Sequence, residues 1–240
     1  MLVLIFLLIT PISAIKIPST PKTKYYYDVR IHNFGNIGLG GKIHSLLAPY
    51  ATTMIDNKCY KSVNIRQLIL SKYNQEFYKK HEKLPKLIDL CCGTGTSTCI
   101  NQLGIDTSEV MISKAQTLAK AQTQFLKGNA ENYGQEGEFD TATIMFAFHE
   151  MPNYAHHKII KNAKKITKHD ILIVDISPNY NPSKLMLSGE PYLLNYKATI
   201  QELLMQHKFK YLEYIPNHVG LWVYSHNNNH NYLINNLYHK

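Results

Sequence analysis

Two glycines and two carboxylates in this sequence have the spacing that is found in binding sites for nucleoside-containing ligands. Residues 87–97 are LIDLCCGTGTS, where an apolar run around Asp89 is followed by Gly93 and Gly95. The run predicts a buried parallel strand, and the glycines allow a tight turn that a ligand approaches without meeting a Cβ atom. Asp106 stands where the next strand is expected to end, and a carboxylate there accepts hydrogen bonds from both ribose hydroxyls. The pattern predicts an adenosyl-binding site.

Two details of this segment disfavour a nicotinamide dinucleotide. The dinucleotide fingerprint requires a third glycine three residues after the second, where this chain has Thr98. It also places the acid about 20 residues further on, whereas Asp106 lies 13 residues past Gly93. An oxidoreductase nevertheless stays an alternative, because Tyr154 and Lys158 have the Tyr-x-x-x-Lys spacing of short-chain dehydrogenases.

Residues 87–97 resemble motif I of the class I methyltransferases that use S-adenosylmethionine (SAM), with Cys91 at the first of the three turn positions. The resemblance continues in the family's order over residues 86–224, through GNAE at 128–131 and FHEMP at 148–152. Together these segments are similar to the small-molecule group that includes the ubiquinone and menaquinone C-methyltransferases. It implies an α/β fold with a doubly wound, mostly parallel, seven-stranded Rossmann-like sheet and an N-terminal helical lid.

The resemblance also implies that SAM is the cofactor and that ten residues along the first four strands hold it. These residues are Asp89, Cys91, Gly93, Thr94, Gly95, Asp106, Thr107, Asn129, Ala130 and Phe146. Asn129 replaces an aspartate that in the family usually faces the adenine amino group. Its amide oxygen accepts a hydrogen bond but carries no charge, which predicts a weaker or retuned affinity for SAM.

Three residues are candidates for the proton transfer that methylation of a phenol, an enolisable carbon or an amine requires. His149 and Glu150 follow the fourth strand, at the carboxyl edge where open α/β sheets bind their ligands. His32, from the lid, is the third. The alternative is structural: His149 packs in the core, and Glu150 complements the dipole of the helix that begins near Pro152. No metal site is expected, because Asn153 stands where a His-Glu-x-x-His motif requires its second histidine.

The chain divides into four parts. Residues 1–20 are expected to be a targeting or signal-like leader, residues 21–83 a lid and helical extension, residues 84–225 the SAM-binding domain, and residues 226–240 a polar tail. An apolar run at residues 2–9, too short to span a membrane, is followed by a basic, hydroxyl-bearing stretch at residues 15–30. Together they resemble the bipartite leader of plastid proteins, which implies a plastid-type organelle or an endomembrane route, with a cytoplasmic location as the alternative.

The elements around the site follow from apolar periodicity and from turn residues. The lid itself is predicted at residues 25–36, with flexibility supplied by the glycines 35, 38, 40 and 41. The other predicted elements are a mostly helical stretch at 48–80, a helical stub between 95 and 103, helices at 158–168 and 196–207, and strands at 171–176, 209–215 and 219–224. Tyr192 and Tyr196 are expected to line the acceptor pocket, and His156 to lie on the solvated surface.

The formal net charge of +9 comes from Lys and Arg residues scattered over the chain without a long basic block. This distribution disfavours a nucleic-acid partner and leaves association with an anionic membrane surface open. The four cysteines form neither a disulfide framework nor a zinc pair. The prediction is therefore an enzyme that transfers a methyl group from SAM to a small-molecule or lipid-like, quinone-type acceptor. An NAD(P)-dependent oxidoreductase and a non-catalytic SAM-fold module remain the alternatives.

Overall fold

Seven strands form one sheet in the order β3-β2-β1-β4-β5-β7-β6 in the computed structural model, which describes residues 24–120, 122–228 and 230–238. The strands are β1 Leu87–Leu90, β2 Gln102–Asp106, β3 Gln124–Lys127, β4 Phe139–Met145, β5 Thr167–Ile176, β6 Lys210–Ile215 and β7 Val219–Ser225. β1 to β5 pair in parallel, and β7 runs antiparallel to both β5 and β6. The predicted doubly wound sheet is confirmed. The predicted leader, residues 1–20, lies outside the described residues.

Helices cover both faces of the sheet, which explains why its central strands are apolar. The helices are α1 Gly38–Cys59, α2 Ile65–His81, α3 Glu109–Leu118, α4 Asn153–Ile166, α5 Lys184–Gly189, α6 Leu193–Gln206 and α7 His230–Tyr238. The side chains of α4 and α6 belong to one buried cluster, and those of α2 and α7 to the other. β1 and β4 are buried along their whole length between these layers. The strand order reverses between β1 and β4, so the carboxyl ends of these two strands border the crevice where such sheets bind ligands.

The connection from β1 to β2 differs from the prediction, because residues 91–101 form turns and no helical stub. Ser97 and Thr98 donate hydrogen bonds from their hydroxyls to the carboxylate of Asp89, at 2.8 and 2.7 Å. Hydroxyl side chains that bond in this local way offer the chain an alternative to a helix. The long helix α1 packs beside α3 on this flank of the sheet.

The helical stretch predicted at residues 48–80 is two helices, separated at Tyr60–Asn64. Lys61 and Ser62 have left-handed backbones, and the side chain of Asn64 caps α2 by accepting a bond from the backbone of Gln67. The lid glycines also differ from the prediction, because three of the four begin α1 instead of lending flexibility. A Cβ atom on Gly40 would overlap the carbonyl oxygen of Phe34, so glycine here permits close packing of the lid on the helix.

The carboxyl-terminal segment also packs on the domain. Leu233 and Leu237 of α7 are buried against the face of the sheet that α2 covers. Among the described residues, no helix is both long and apolar enough to cross a membrane.

Candidate cofactor and acceptor site

The turn after β1 has a left-handed backbone at three positions, with φ of 63° at Cys91, 53° at Gly93 and 80° at Gly95. The two glycines serve different purposes. A Cβ atom at Gly93 would meet nothing within 4 Å, so this residue borders open space that a ligand can enter. A Cβ atom at Gly95 would lie 2.5 Å from Cζ of Phe125, so glycine there lets the turn pack on β3.

Replacing Gly95 with alanine is expected to lower the free energy of unfolding by about 1–3 kcal/mol more than Gly93→Ala does, since both alanines have a left-handed backbone but only the methyl group at position 95 overpacks the contact with Phe125. Gly93→Ala is the matched control. It adds only the cost of a left-handed alanine, about 1 kcal/mol, because its methyl group faces open space. Urea denaturation followed by circular dichroism measures both. Equal destabilisation in the two variants would show that the Phe125 contact does not constrain the turn.

Asp106 ends β2 with both carboxylate oxygens oriented by backbone groups. Oδ2 accepts a hydrogen bond from the backbone N–H of Gly93 at 3.0 Å, and Oδ1 accepts one from Ser108 at 2.8 Å. Burial raises the pKa of Asp106 to about 6, against the effect of these two donors. Each carboxylate oxygen keeps a further lone pair for a ligand hydroxyl. The carboxylate and the open space at Gly93 therefore fit the ribose end of an adenosyl ligand.

Asp89 lies beneath the turn. Its carboxylate is fully buried and accepts hydrogen bonds from the hydroxyls of Ser97, Thr98 and Thr143. Three donors occupy this side chain, so in this structure Asp89 ties the turn to β1 and β4.

The remaining predicted cofactor residues lie at the same edge of the sheet, after β1, β2, β3 or β4. Thr94 is buried in the turn, and Thr107 is half-buried immediately after β2. Asn129 accepts a hydrogen bond on Oδ1 from the backbone of Glu131 at 2.9 Å, and Ala130 is buried beside it. Phe146 has a left-handed backbone with φ of 54°.

The guanidinium group of Arg66, from α2, lies 4.1 Å from the centre of the Phe146 ring. This contact holds the ring between the end of β4 and the helical extension.

His149 is held by a buried carboxylate of β5. Its Nδ1 lies 2.6 Å from Oδ1 of Asp175, and Asp175 also accepts backbone hydrogen bonds from Phe148 and Ile176. Although burial opposes it, the charge and hydrogen bond of Asp175 raise the pKa of His149 to about 9. His149 is therefore an imidazolium at neutral pH, with Nδ1 donating to Asp175.

Glu150 and His32 meet between the strand ends and the lid. Nε2 of His32 lies 2.8 Å from Oε1 of Glu150, and Nε2 of His149 lies 4.0 Å from the same oxygen. Burial opposes ionisation of Glu150, but the charge of His32 lowers the pKa of this carboxyl to about 2. The structure thus brings the three predicted catalytic residues into one charged cluster. Among the described residues, no group of three His, Cys, Asp or Glu side chains is arranged to hold a metal ion.

Glu190 is a member of this cluster that the sequence reasoning missed. Its Oε1 lies 2.9 Å from Nδ1 of His32, so both ring nitrogens of His32 face carboxylates. Burial opposes it, but the two carboxylates raise the pKa of His32 well above its usual value. Glu190 is only 6% exposed, and its Oε2 has no hydrogen-bond partner among the described residues. The only sequence signal was an acid beside Pro191 in the long connection after β5.

The lid, residues 25–36, is fastened at several points across the site. Asn36 accepts a hydrogen bond on its carbonyl oxygen from the hydroxyl of Ser108, after β2. Asp28 accepts one from the hydroxyl of Tyr192 at 3.0 Å. His32 has a left-handed backbone with φ of 51°, a strained conformation that its two carboxylate partners hold in place.

Two expectations about aromatic residues are wrong. Tyr196 does not line a pocket: it is fully buried and donates its hydroxyl to the carbonyl of Ile176 at 2.7 Å. His156 is not on the surface: it is fully buried, stacks on Phe148, and lies 2.7 Å from the carbonyl oxygen of that residue. In both cases one polar atom, Oη of Tyr196 or Nε2 of His156, has a backbone partner in the core, which lowers the cost of burying the side chain.

A comparison with protein families matches residues 87–170 to the family model described as a methyltransferase domain. No curated protein sequence matches the chain. The fold is similar to that of the plantazolicin methyltransferase BpumL in complex with SAH, with 15% identity, a TM-score of 0.50, and coverage of 76% of this chain and 92% of that one. A second similar structure is magnesium protoporphyrin IX methyltransferase from Synechocystis PCC 6803 with bound SAH, with 15% identity, a TM-score of 0.48, and coverage of 67% and 82%.

Proposed function

We propose that this chain, an enzyme whose methyltransferase domain uses SAM as its cofactor, methylates a small, lipid-like acceptor with an ionisable hydroxyl or an enolisable carbon. The observation that carries the proposal is the position of the Glu150 carboxylate between the cofactor turn and the lid. On one side, its negative charge is one of the causes that raise the pKa of Asp106. On the other side, its Oε1 lies 2.8 Å from Nε2 of His32. An ionised carboxylate at this point is suited to accept the proton that the acceptor gives up.

Side chains on the two segments that carry His32 and Glu190 support an apolar acceptor. They come from the lid and from the segment after β5, are half-buried, and pack against the main core. These side chains are Tyr26, Met186, Leu187 and Tyr192. The resemblance to the quinone C-methyltransferases points to the same class of acceptor, a ring with hydroxyl groups and an apolar tail.

The residues of the site have two roles: some would bind the cofactor, and others would position the acceptor. SAM, when bound, supplies the methyl group from a sulfonium centre. Asp106 would hold its ribose hydroxyls, and Gly93 leaves the space for it. Most of the acceleration comes from alignment of the two reactants, since effective molarities for aligned groups reach about 10⁵ M or more.

Although burial opposes it, the charge of His32 lowers the pKa of Glu150, so its carboxylate is ionised at neutral pH and acts as a weak base. An oxygen or ring carbon that gains a methyl group becomes a far stronger acid, so its proton passes readily to a carboxylate. His32 and His149 hold the Glu150 carboxylate, and Asp175 fixes the orientation of His149.

The oxidoreductase alternative is not favoured. Tyr154 and Lys158 lie in α4, which follows β4, and Tyr154 is 55% exposed. Nζ of Lys158 bonds Glu131 at 3.3 Å, and its side chain is 58% exposed.

A transfer assay tests the proposed function. The full-length protein is incubated with SAM labelled in its methyl group and with three acceptor sets: phenols and quinols with apolar tails, total RNA, and denatured protein. We expect label in an organic extract of the first set only. Label that enters RNA or protein and not the phenols would overturn the proposed acceptor class.

A further inference from the structure

Helix α1 turns its apolar face outward. Leu39, Ile43, Leu46, Leu47 and Tyr50 follow one another at helical spacing and lie on one side of the helix. Their exposures are 76, 38, 57, 42 and 76%, respectively. The stripe is about 17 Å long at 1.5 Å per residue.

The inward face of α1 is made of small and polar residues. Gly41, Ser45 and Asp56 are its buried members, and Asp56 pairs with Arg66 of α2 at 3.2 Å. A surface helix of a soluble protein usually has the opposite arrangement, with its apolar stripe on the core. Contiguous apolar surface of this kind marks an interaction site.

The exposed charges on α1 and directly after it are positive. Lys42, Lys58 and Lys61 are exposed on α1 and directly after it, and the single acid of α1 is the buried, paired Asp56. The whole chain carries a formal charge of +9. Apolar side chains flanked by lysines match the surface of an anionic bilayer, where acyl chains lie below negative headgroups.

We propose that α1 lies on an anionic membrane surface, with Leu39, Ile43, Leu46, Leu47 and Tyr50 in contact with the lipid. The helix lies on the bilayer and does not cross it, in keeping with its length and composition. A symmetric contact between two copies of the chain is less suited to this face, because it would bring like-charged lysines together.

The membrane contact would place the acceptor side of the site next to the lipid. Nδ1 of His44, on α1, lies 2.9 Å from Oδ1 of Asn36 in the lid, and the ring of His44 lies 4.4 Å from that of His32. The start of α1 is therefore joined directly to the charged cluster. An acceptor with an apolar tail would reach that cluster from the bilayer; this point rests on the proposed function, whereas the membrane contact itself does not.

Flotation of the full-length chain with lipid vesicles tests the contact. We expect the protein to float with vesicles of phosphatidylcholine and phosphatidylglycerol (7:3), and less in high salt, which screens the lysines. The double variant Leu46→Glu/Leu47→Glu should reduce the floated fraction at least about tenfold. Two leucines no longer enter the lipid, and two negative charges face the anionic headgroups. The control is Leu84→Glu/Met205→Glu, which changes two apolar residues outside α1 that are more exposed than Leu46 and Leu47, and it should float like the wild type.

A second measurement reports on α1 alone. The chain has one tryptophan, Trp222, which is 1% exposed, so Leu47→Trp adds the only accessible indole. Brominated phosphatidylcholine in the anionic vesicles should quench the new emission and leave that of the wild type unchanged. Equal flotation of the two double variants without quenching at position 47 would overturn the proposal, as would a dimer that Leu46→Glu/Leu47→Glu converts to a monomer without any lipid binding. Neither measurement uses SAM or an acceptor, so failure here is distinct from failure of the proposed methylation.

Discussion

Replacing Asp106 with alanine is expected to weaken SAM binding by about 100-fold or more, with the fold retained. The carboxylate is the group placed to accept the ribose hydroxyls, and hydrogen bonds to a charged group contribute about 1.5–3 kcal/mol each. The substitution also removes the acceptor for the backbone N–H of Gly93, so the turn after β1 loses one anchor. Calorimetric titration of the full-length protein with SAM measures the affinity.

Asp140→Ala is the matched control for this titration. Asp140 is also buried and also accepts a backbone hydrogen bond, from Lys86 at 2.9 Å, but it lies at the start of β4, at the opposite edge of the sheet. It should lose stability and keep its affinity for SAM. NADH should give no heat with either protein. If the two variants bind SAM with affinities within about threefold of each other, Asp106 does not bind the cofactor, because losing one hydrogen bond to a charged group should cost more than that.

The strands and the cofactor turn could be predicted because their signals are local. Residues 87–90 and 171–176 are apolar runs bounded by turn residues, which is the pattern of parallel strands buried on both faces. The pairing of Gly93 with Asp106 follows from the strand order alone, because neighbouring parallel strands end at the same edge. His32, His149 and Glu150 could be named from the sequence as candidates for proton transfer. Only the fold shows that they lie together in one cluster.

Other features depend on contacts between distant segments, which local patterns do not report. Glu190 was missed because its partner, His32, lies 158 residues earlier in the chain. The burial of His156 depends on its packing against Tyr196 of α6, which lies 40 residues later in the chain. The outward position of the apolar stripe of α1 is a further case, because α2 and α7 cover one face of the sheet and α1 meets the domain through Gly41 and Ser45.

Replacing Glu150 with glutamine is expected to lower kcat by about 100-fold or more while SAM affinity stays close to that of the wild type. Glutamine has the same shape but cannot accept a proton, and general acid–base catalysis contributes about 10²–10⁴-fold. The measurement is steady-state transfer of labelled methyl groups at saturating SAM. Glu202→Gln, on the exposed face of α6, is the control and should leave kcat unchanged.

The pH dependence separates proton acceptance from a purely structural role for Glu150. The charged groups that face His149 are Asp175, Glu150 and Glu190, and together they raise its pKa to about 9. Below that pH the imidazolium supports the Glu150 carboxylate; above it the neutral ring presents a lone pair to the carboxylate, so wild-type kcat should fall as pH rises through about 9. His149→Gln should lack this alkaline limb.

His32→Asn, which releases the lid from both carboxylates, should raise KM more than it lowers kcat. If Glu150→Gln shows the same KM effect as His32→Asn and an unchanged kcat, Glu150 only fastens the lid, and another group takes the proton.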